Sequence, residues 1–104
     1  MDRYEKLTHF IERIVLDTRL KPVHISLFIA LCHGWIASKF QRSYRITRRL
    51  LMNASRIRSR ATYHKTMKEL QSFGYLKYNP SYHPFKASEV EILDDGLNAT
   101  NDEP

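Results

Sequence analysis

The sequence predicts a mainly α fold with a small β-hairpin, in the element order α-α-β-α-α-β-β. Through most of the first 74 residues, apolar side chains recur every three or four positions, and after residue 74 they alternate. The chain has 104 residues, of which 42% are hydrophobic, and this suits one domain with one core. The net charge of +6 favours an acidic partner for this domain.

Two helices are predicted in the first part of the chain. The first is amphipathic and runs from about Tyr4 to Arg19, with apolar residues at 4, 7, 10, 11, 14 and 15. The second runs from Pro22 to about Phe40, since proline suits a first helical turn. It is apolar over most of its circumference, so we expect it to be the most buried element. Its most apolar stretch, residues 23–37, is too short to span a bilayer, which needs about 20 residues.

A short strand, two further helices and a hairpin follow. We expect the strand at residues 43–46, and Thr47 and Ser59 are predicted N-caps of helices over residues 48–54 and 60–73. Gly74 lies where a left-handed residue ends the second of these helices. Residues 75–79 and 89–93 alternate as strands, and the loop between them contains two prolines. Residues 94–104 are acidic and poor in apolar residues, so we expect a disordered tail.

The charges are segregated along the chain. Between Asp17 and Glu69 there are twelve Lys or Arg residues and no carboxylate. Residues 89–104, in contrast, hold six acidic side chains and no basic one. Like charges in so long a block repel one another, and nucleic acid is the commonest partner that relieves them. A merely solvated basic surface is an alternative. An anionic membrane is disfavoured because the basic residues lie in short segments punctuated by turns.

The segment from Ser59 to Leu76, SRATYHKTMKELQSFGYL, resembles the recognition-helix pattern of the winged helix-turn-helix DNA-binding family. The shared features are a capping serine, a threonine followed by a core residue, further apolar residues, and a glycine that leads into the wing. The resemblance covers about residues 22–93 and extends to small winged-helix proteins of bacterial mobile elements and phages. It implies one winged-helix domain over residues 1–93, with a helix-turn-helix at 47–73 and a wing at 75–93.

The helix predicted at residues 60–73 has an inner and an outer face. At about 100° per residue, one face is formed by Tyr63, Thr66, Met67, Leu70 and Phe73, which we expect in the core. The opposite face is formed by Ala61, Lys65, Lys68 and Ser72. An outer face that begins with a small residue and is basic along its length suits the major groove of duplex DNA.

DNA contacts are predicted from this helix, from the preceding helix, from the turn between them and from the wing. The candidate residues are Thr47, Arg48, Arg49, Arg56, Arg58, Ser59, Arg60, Thr62, His64, Lys65, Lys68, Lys77 and Lys86. Arg60 and Lys65 are candidates for guanine contacts, and the two arginines after Thr47 for phosphate contacts. Tyr82 and His83 are further candidates in the wing.

The turn departs from the family's pattern in one respect. An apolar residue usually precedes the capping serine, whereas here Arg58 precedes Ser59 and Ile57 comes one residue earlier. A turn that is one residue longer would shift the register of the following helix. The sequence alone does not decide this register.

The sequence therefore predicts sequence-specific double-stranded DNA binding by a small bacterial transcriptional regulator or mobile-element DNA-binding factor, located in the cytoplasm at the nucleoid. A replication-initiation or excision accessory protein and a protein–protein interaction winged helix remain as alternatives. We expect no enzyme, because the basic region has no carboxylates to hold Mg²⁺ and the chain has no glycine-rich phosphate loop.

No cofactor, metal or membrane partner is expected. His24, Cys32 and His33 are not joined by a second cysteine or by clustered carboxylates that would complete a tetrahedral site. The single cysteine also excludes an intramolecular disulfide and fits a reducing compartment. The first helix, with Leu7, Phe10, Ile11, Ile14 and Val15, either caps the core or joins two copies in a homodimer.

Overall fold

Four helices and a three-stranded antiparallel sheet form the part of the chain described by the computed structural model, residues 2–83 and 86–93. The elements are α1 (Arg3–Leu16), α2 (Pro22–Ala37), β1 (Tyr44–Ile46), α3 (Arg48–Ser55), α4 (Arg60–Ser72), β2 (Leu76–Asn79) and β3 (Ser88–Ile92). This order of helices and strands is the predicted one. The acidic tail predicted at residues 94–104 lies outside the described residues.

Helix α1 starts at a capping box and ends three residues earlier than predicted. The Asp2 carboxylate accepts the Glu5 N–H at 2.8 Å, and the Glu5 carboxylate accepts the Asp2 N–H at 3.1 Å. The predicted end at Arg19 is wrong because Asp17 has extended backbone, with φ −87° and ψ 103°. Its carboxylate binds the Arg19 guanidinium at 2.6 Å instead.

Helix α2 ends at Ala37, and the predicted end at Phe40 is wrong. Lys39 and Phe40 both adopt positive φ, 63° and 65°, so the chain reverses there. The Phe40 N–H donates to the Trp35 carbonyl at 2.9 Å, and the two rings pack edge-on with centroids 4.9 Å apart. Packing of Phe40 under the end of the helix accounts for the two left-handed residues.

The hydrophobic core is centred on α2, as predicted. This helix has seven buried residues, whereas α4 has four. Phe10 of α1 packs edge-on against Phe28 and Trp35, with centroids 6.1 and 5.4 Å away. One side of α2 is nevertheless open, because Ile25, Ile29 and Ile36 are 36%, 44% and 41% exposed. We call these three residues the isoleucine ridge.

Strand β3 is the central strand of the sheet and pairs antiparallel with both β1 and β2. Its Val90 faces Tyr44 of β1 and Tyr78 of β2 on the inner side of the sheet. The predicted hairpin is therefore present as β2–β3. Its pairing with β1 adds a third strand.

Tyr75, between α4 and β2, is completely buried and contacts several elements. Its N–H donates to the Leu70 carbonyl at 3.0 Å, and its carbonyl accepts the Leu93 N–H at 2.9 Å. Its ring packs edge-on against Phe28, with centroids 5.4 Å apart. Its hydroxyl donates to the Asp17 carboxylate at 2.7 Å. The end of α4 is thus joined to α2, to the end of β3 and to the residue that follows α1.

Arg13 of α1 covers the other side of the Tyr75 ring, with its guanidinium carbon 4.0 Å from the ring centroid. It donates to the carbonyls of Gly74 at 3.1 Å and Leu93 at 3.3 Å. Burial raises the pKa of Tyr75 to about 12. The Arg19 guanidinium, together with the Tyr75 hydroxyl, holds the pKa of Asp17 well below its usual range.

Replacing Asp17 with Asn is expected to lower the free energy of unfolding by about 1–3 kcal/mol at neutral pH, since hydrogen bonds to a charged group are lost. Asp17 stays ionised to lower pH in the folded chain than in the unfolded chain. Its contribution is therefore complete above about pH 4 and is lost as the pH falls below that value. Urea unfolding across this range measures the difference, with Glu12→Gln as an exposed control. A difference that stays constant on acidification contradicts this assignment.

Candidate nucleic-acid interface

Both predicted helix caps are present in the segment with most of the candidate residues. The Thr47 hydroxyl accepts the Leu50 N–H at 3.2 Å at the start of α3. The Ser59 hydroxyl accepts the Thr62 N–H at 3.2 Å at the start of α4. Each cap satisfies one of the free N–H groups of a first helical turn, so both helix starts are fixed by local sequence.

Helix α2 contacts the turn between α3 and α4 and fixes its position. Ile57 is buried, and the Ser26 hydroxyl of α2 donates to the Ser55 carbonyl. Arg56 adopts the left-handed conformation, with φ 64°. Arg58 is exposed and Ile57 is buried, so the apolar residue of this turn lies one residue earlier than in the winged-helix pattern that the sequence resembles.

A concave surface of about 520 Å³ lies between α3, the turn and the start of α4. Its described lining residues are Arg48, Arg49, Met52, Asn53, Arg56, Ile57, Arg58 and Arg60. We call it the arginine hollow. Five of these eight residues are arginines, and none is acidic. Like charges accumulate at this place without a described carboxylate to offset them, as in a site for a polyanion.

Met52 and Asn53 were not predicted as interface residues, although they line the arginine hollow. They are spaced three to five residues from Arg48 and Arg49, so all four lie on one side of α3. Helical spacing alone would have indicated them. Neither residue is charged or caps a helix, and the predicted interface was built from charged and capping residues.

The α4 helix has the predicted inner and outer faces. Tyr63, Thr66, Met67 and Leu70 are buried, and Phe73 is half-buried. The exposed residues include Arg60, Ala61, Thr62, His64, Lys65, Lys68 and Ser72. Thr66 is polar but can be buried on the inner face, because its hydroxyl donates to the Thr62 carbonyl of the same helix at 2.7 Å. The outer face therefore begins beside the arginine hollow, at Arg60, and continues along α4.

Arg56 differs from the other arginines of the hollow because its guanidinium is already bound. It donates to the Asn53 carbonyl near the end of α3 at 2.8 Å, and the Arg56 backbone N–H donates to the same carbonyl at 3.3 Å. That Arg56 contacts DNA stays a prediction, and in the protein alone its guanidinium is bound to the helix end. This side chain closes a helix at the wall of the hollow.

Lys77 lies on a sheet face of mixed charge. In the sheet register it faces Glu91, and Arg45 faces Glu89. The Arg42 guanidinium also donates to the Glu91 carboxylate at 2.9 Å. These glutamates belong to the acidic C-terminal part of the sequence, but the fold sets them beside basic residues of β1 and β2. Lys77 thus has a glutamate beside it, unlike the arginines that line the arginine hollow.

The loop between β2 and β3 is described in part. Tyr82 is 92% exposed, and Lys86 is also exposed. The Lys86 N–H donates to the His83 carbonyl at 3.1 Å. These residues lie at the end of the hairpin, where the sequence analysis expected wing contacts.

Glu69, the single carboxylate among residues 18–88, is directed towards α2. The buried ring of His24 accepts the Lys21 N–H at Nδ1, at 2.8 Å, so its Nε2 carries the proton and donates to Glu69 at 2.7 Å. This hydrogen bond lowers the pKa of Glu69. The carboxylate is therefore engaged with α2 and does not line the arginine hollow.

Cys32 and His33 take no part in the hydrogen bond between His24 and Glu69. Cys32 is buried, and burial raises the pKa of its thiol to about 12, whereas His33 is exposed. Within residues 2–83 and 86–93 the structure contains no group of three side chains that could hold a metal ion.

Comparisons with protein-family models, curated proteins and solved structures found no match for this chain. Within the described ranges, no helix has both the length and the apolar character needed to cross a membrane.

Glu69→Ala is expected to lower the melting temperature, because it leaves the buried His24 Nε2–H without an acceptor. Glu69→Gln keeps an oxygen at the same place, so its melting temperature should fall much less. Thermal unfolding followed by circular dichroism compares the two variants, with Lys68→Ala as an exposed control on the same helix. Equal losses for Ala and Gln would show that the charge of Glu69, rather than its hydrogen bond, stabilises the fold.

Proposed function

We propose that this protein binds double-stranded DNA as a winged helix-turn-helix module. In this proposal α4 is the recognition helix, α3 and the turn position it on the backbone, and the β2–β3 loop is the wing. The observation that carries the proposal is the arginine hollow, because it gathers guanidinium groups from three consecutive segments with no described acidic residue in its lining. Arginine binds phosphate oxygens through two parallel hydrogen bonds, which suits such a surface to a nucleic-acid backbone.

The shape of the α4 surface favours a duplex. A single helix fits the major groove, which is about 12 Å wide, and the N-terminal residues of such a helix reach the base edges. Ala61 and Thr62 are small and exposed at this end, so the backbone of α4 can approach the groove closely. Arg60 and Lys65 flank them with hydrogen-bond donors suited to guanine.

The start of α3 has a different role in this proposal. Arg48 and Arg49 lie in the first turn of a helix that ends beside the start of α4. A helix in this place crosses the DNA backbone, so these arginines contact phosphates and fix the orientation of α4. Tyr82 and Lys86 would extend the same backbone contact from the wing.

The biological role that fits this module is a small transcriptional regulator or a mobile-element DNA-binding factor in the bacterial cytoplasm. Occupancy of a duplex site is the mechanism, since the proposed interface consists of donors and cations rather than groups for bond cleavage. A protein–protein interaction module remains the competing function, and absence of DNA binding at low salt would favour it.

Binding to a duplex is expected to weaken steeply with salt. About six phosphate contacts would give a slope near −5 in a plot of log affinity against log salt concentration. Fluorescence anisotropy with a labelled duplex at several salt concentrations measures this slope. An affinity that does not change between low and moderate salt contradicts a phosphate-binding role for the arginine hollow.

The two helices should respond differently to alanine substitution. Arg60→Ala or Lys65→Ala should cost about 1–3 kcal/mol on the preferred site and relax its sequence preference, since base contacts are lost. Arg48→Ala or Arg49→Ala should weaken all sequences alike and make the salt slope shallower by about one unit.

The comparison uses the preferred duplex, obtained by selection from random sequences, and a scrambled duplex of the same length. Arg42→Ala is the matched control, because it removes an exposed arginine that pairs with Glu91 and does not line the hollow. If Arg60→Ala and Lys65→Ala weaken both duplexes equally, these side chains contact only the backbone, and α4 does not read bases in the assigned register.

A further inference from the structure

A second cavity, of about 640 Å³, lies between α2, β1 and α3. Its walls include the small or apolar residues Ala30, Gly34 and Ala37 of α2 and Leu50, Leu51 and Ala54 of α3. These α3 residues lie on the opposite side of the helix from those that line the arginine hollow. We call this space the α2–α3 cavity.

Small residues form most of the α2 side of the α2–α3 cavity. A Cβ atom on Gly34 would come within 2.9 Å of the Tyr44 ring, so the glycine lets β1 approach α2. Protein interiors normally fill such space, and an apolar hollow of 300–1,000 Å³ is typical of a small-ligand site (roughly the range seen in proteins). Its volume and apolar walls therefore indicate a small organic ligand.

Most polar groups in the lining are already bound within the protein. The Tyr44 hydroxyl donates to the Leu31 carbonyl, and the Ser38 hydroxyl donates to the Trp35 carbonyl at 2.7 Å. The Thr47 hydroxyl is the cap of α3. His33 and Arg45 remain. Both are exposed, and neither side chain has a hydrogen bond or ion pair within the described part of the chain.

We propose that the α2–α3 cavity binds a small organic carboxylate with an aromatic or branched apolar body. The body occupies the space between the alanines and leucines, and the carboxylate binds Arg45, with His33 beside it. No described lining residue is acidic. Glu89 faces Arg45 in the sheet, but it does not line the cavity, and its carboxylate accepts the Ser43 hydroxyl at 3.0 Å. Arg45 alternates with the buried Tyr44 and Ile46, so its side chain leaves β1 on the face that it shares with Glu89. No ion pair holds the guanidinium there within the described residues, so its donors are available to a carboxylate at the opening of the cavity.

A small ligand accounts for this surface better than a second copy of the chain. Leu50 of the cavity wall and the isoleucine ridge of α2 are exposed and would contact a protein partner. A flat partner surface would nevertheless leave unfilled the concave space that the alanines create, and this void would cost packing energy. A small apolar molecule fills that space directly.

Calorimetric titration with 2-naphthoate and with 2-naphthalenemethanol tests the proposal, because the two probes share one apolar body and differ in charge. Arg45→Gln should weaken 2-naphthoate about tenfold and leave the alcohol within about twofold, since a charged hydrogen bond is lost only for the carboxylate. Arg42→Gln makes the same change of net charge three residues away, outside the cavity lining, and should leave both affinities unchanged.

Ala37→Trp and Ala54→Trp should each abolish binding of both probes. Both alanines line the cavity and are exposed, so an indole there fills the space without disturbing the core. Circular dichroism verifies that each variant is folded, and the second variant serves if one of them is not.

Three results would overturn the proposal: no saturable binding of 2-naphthoate at millimolar concentration, binding that survives both tryptophan variants, or equal losses for both probes in Arg45→Gln. A dimer in sedimentation that Ala37→Trp dissociates would overturn it too, since the second copy would then occupy the cavity. The titrations contain no DNA, so their failure and the failure of the proposed DNA binding are distinguishable.

Discussion

Burial of Tyr75 directly after Gly74 is the constraint on which the rest of the structure depends. Gly74 takes a φ of 85°, which turns the chain out of α4 and places the tyrosine in the core. There its ring meets α2, its hydroxyl reaches Asp17, and Arg13 covers it from α1. One residue therefore fixes the end of α4, and with it the direction in which the outer face of α4 points.

Contacts within the fold also determine which charges are paired and which are not. Glu69 is held against α2 by His24, and Glu91 is held by Arg42 at the sheet. These carboxylates stabilise the fold at places where a basic or donor group faces them. The arginines of α3 and the turn have no such described neighbour in their hollow, so the uncompensated positive charge collects at one surface.

Local chemistry made the helices and caps predictable. Thr47, Ser59 and Gly74 act within one turn of their own position, and the inner face of α4 follows from helical spacing alone. The sequence could not place Glu89 opposite Arg45, because that needs the pairing of β1 with a strand more than 40 residues away. The β2–β3 hairpin was predicted, but not the register that sets Glu91 opposite Lys77. Tyr75 was expected only as a strand residue, because its contacts with Phe28 and Asp17 also join distant parts of the chain. The bond from Arg56 to the Asn53 carbonyl is local, but it accompanies a positive φ at a non-glycine residue, which the sequence does not signal.

Helix α3 is the element that both proposed surfaces share. It has eight residues, too few for a stable helix in isolation, so its position depends on the Thr47 cap and on packing against α2 through Leu51. One side of α3 presents arginines to the hollow, and the other side closes the α2–α3 cavity. A ligand in that cavity would influence the arginine surface only if it favoured one position of α3 over another, and a helix held mainly by tertiary packing is the kind of element in which two positions differ little in free energy.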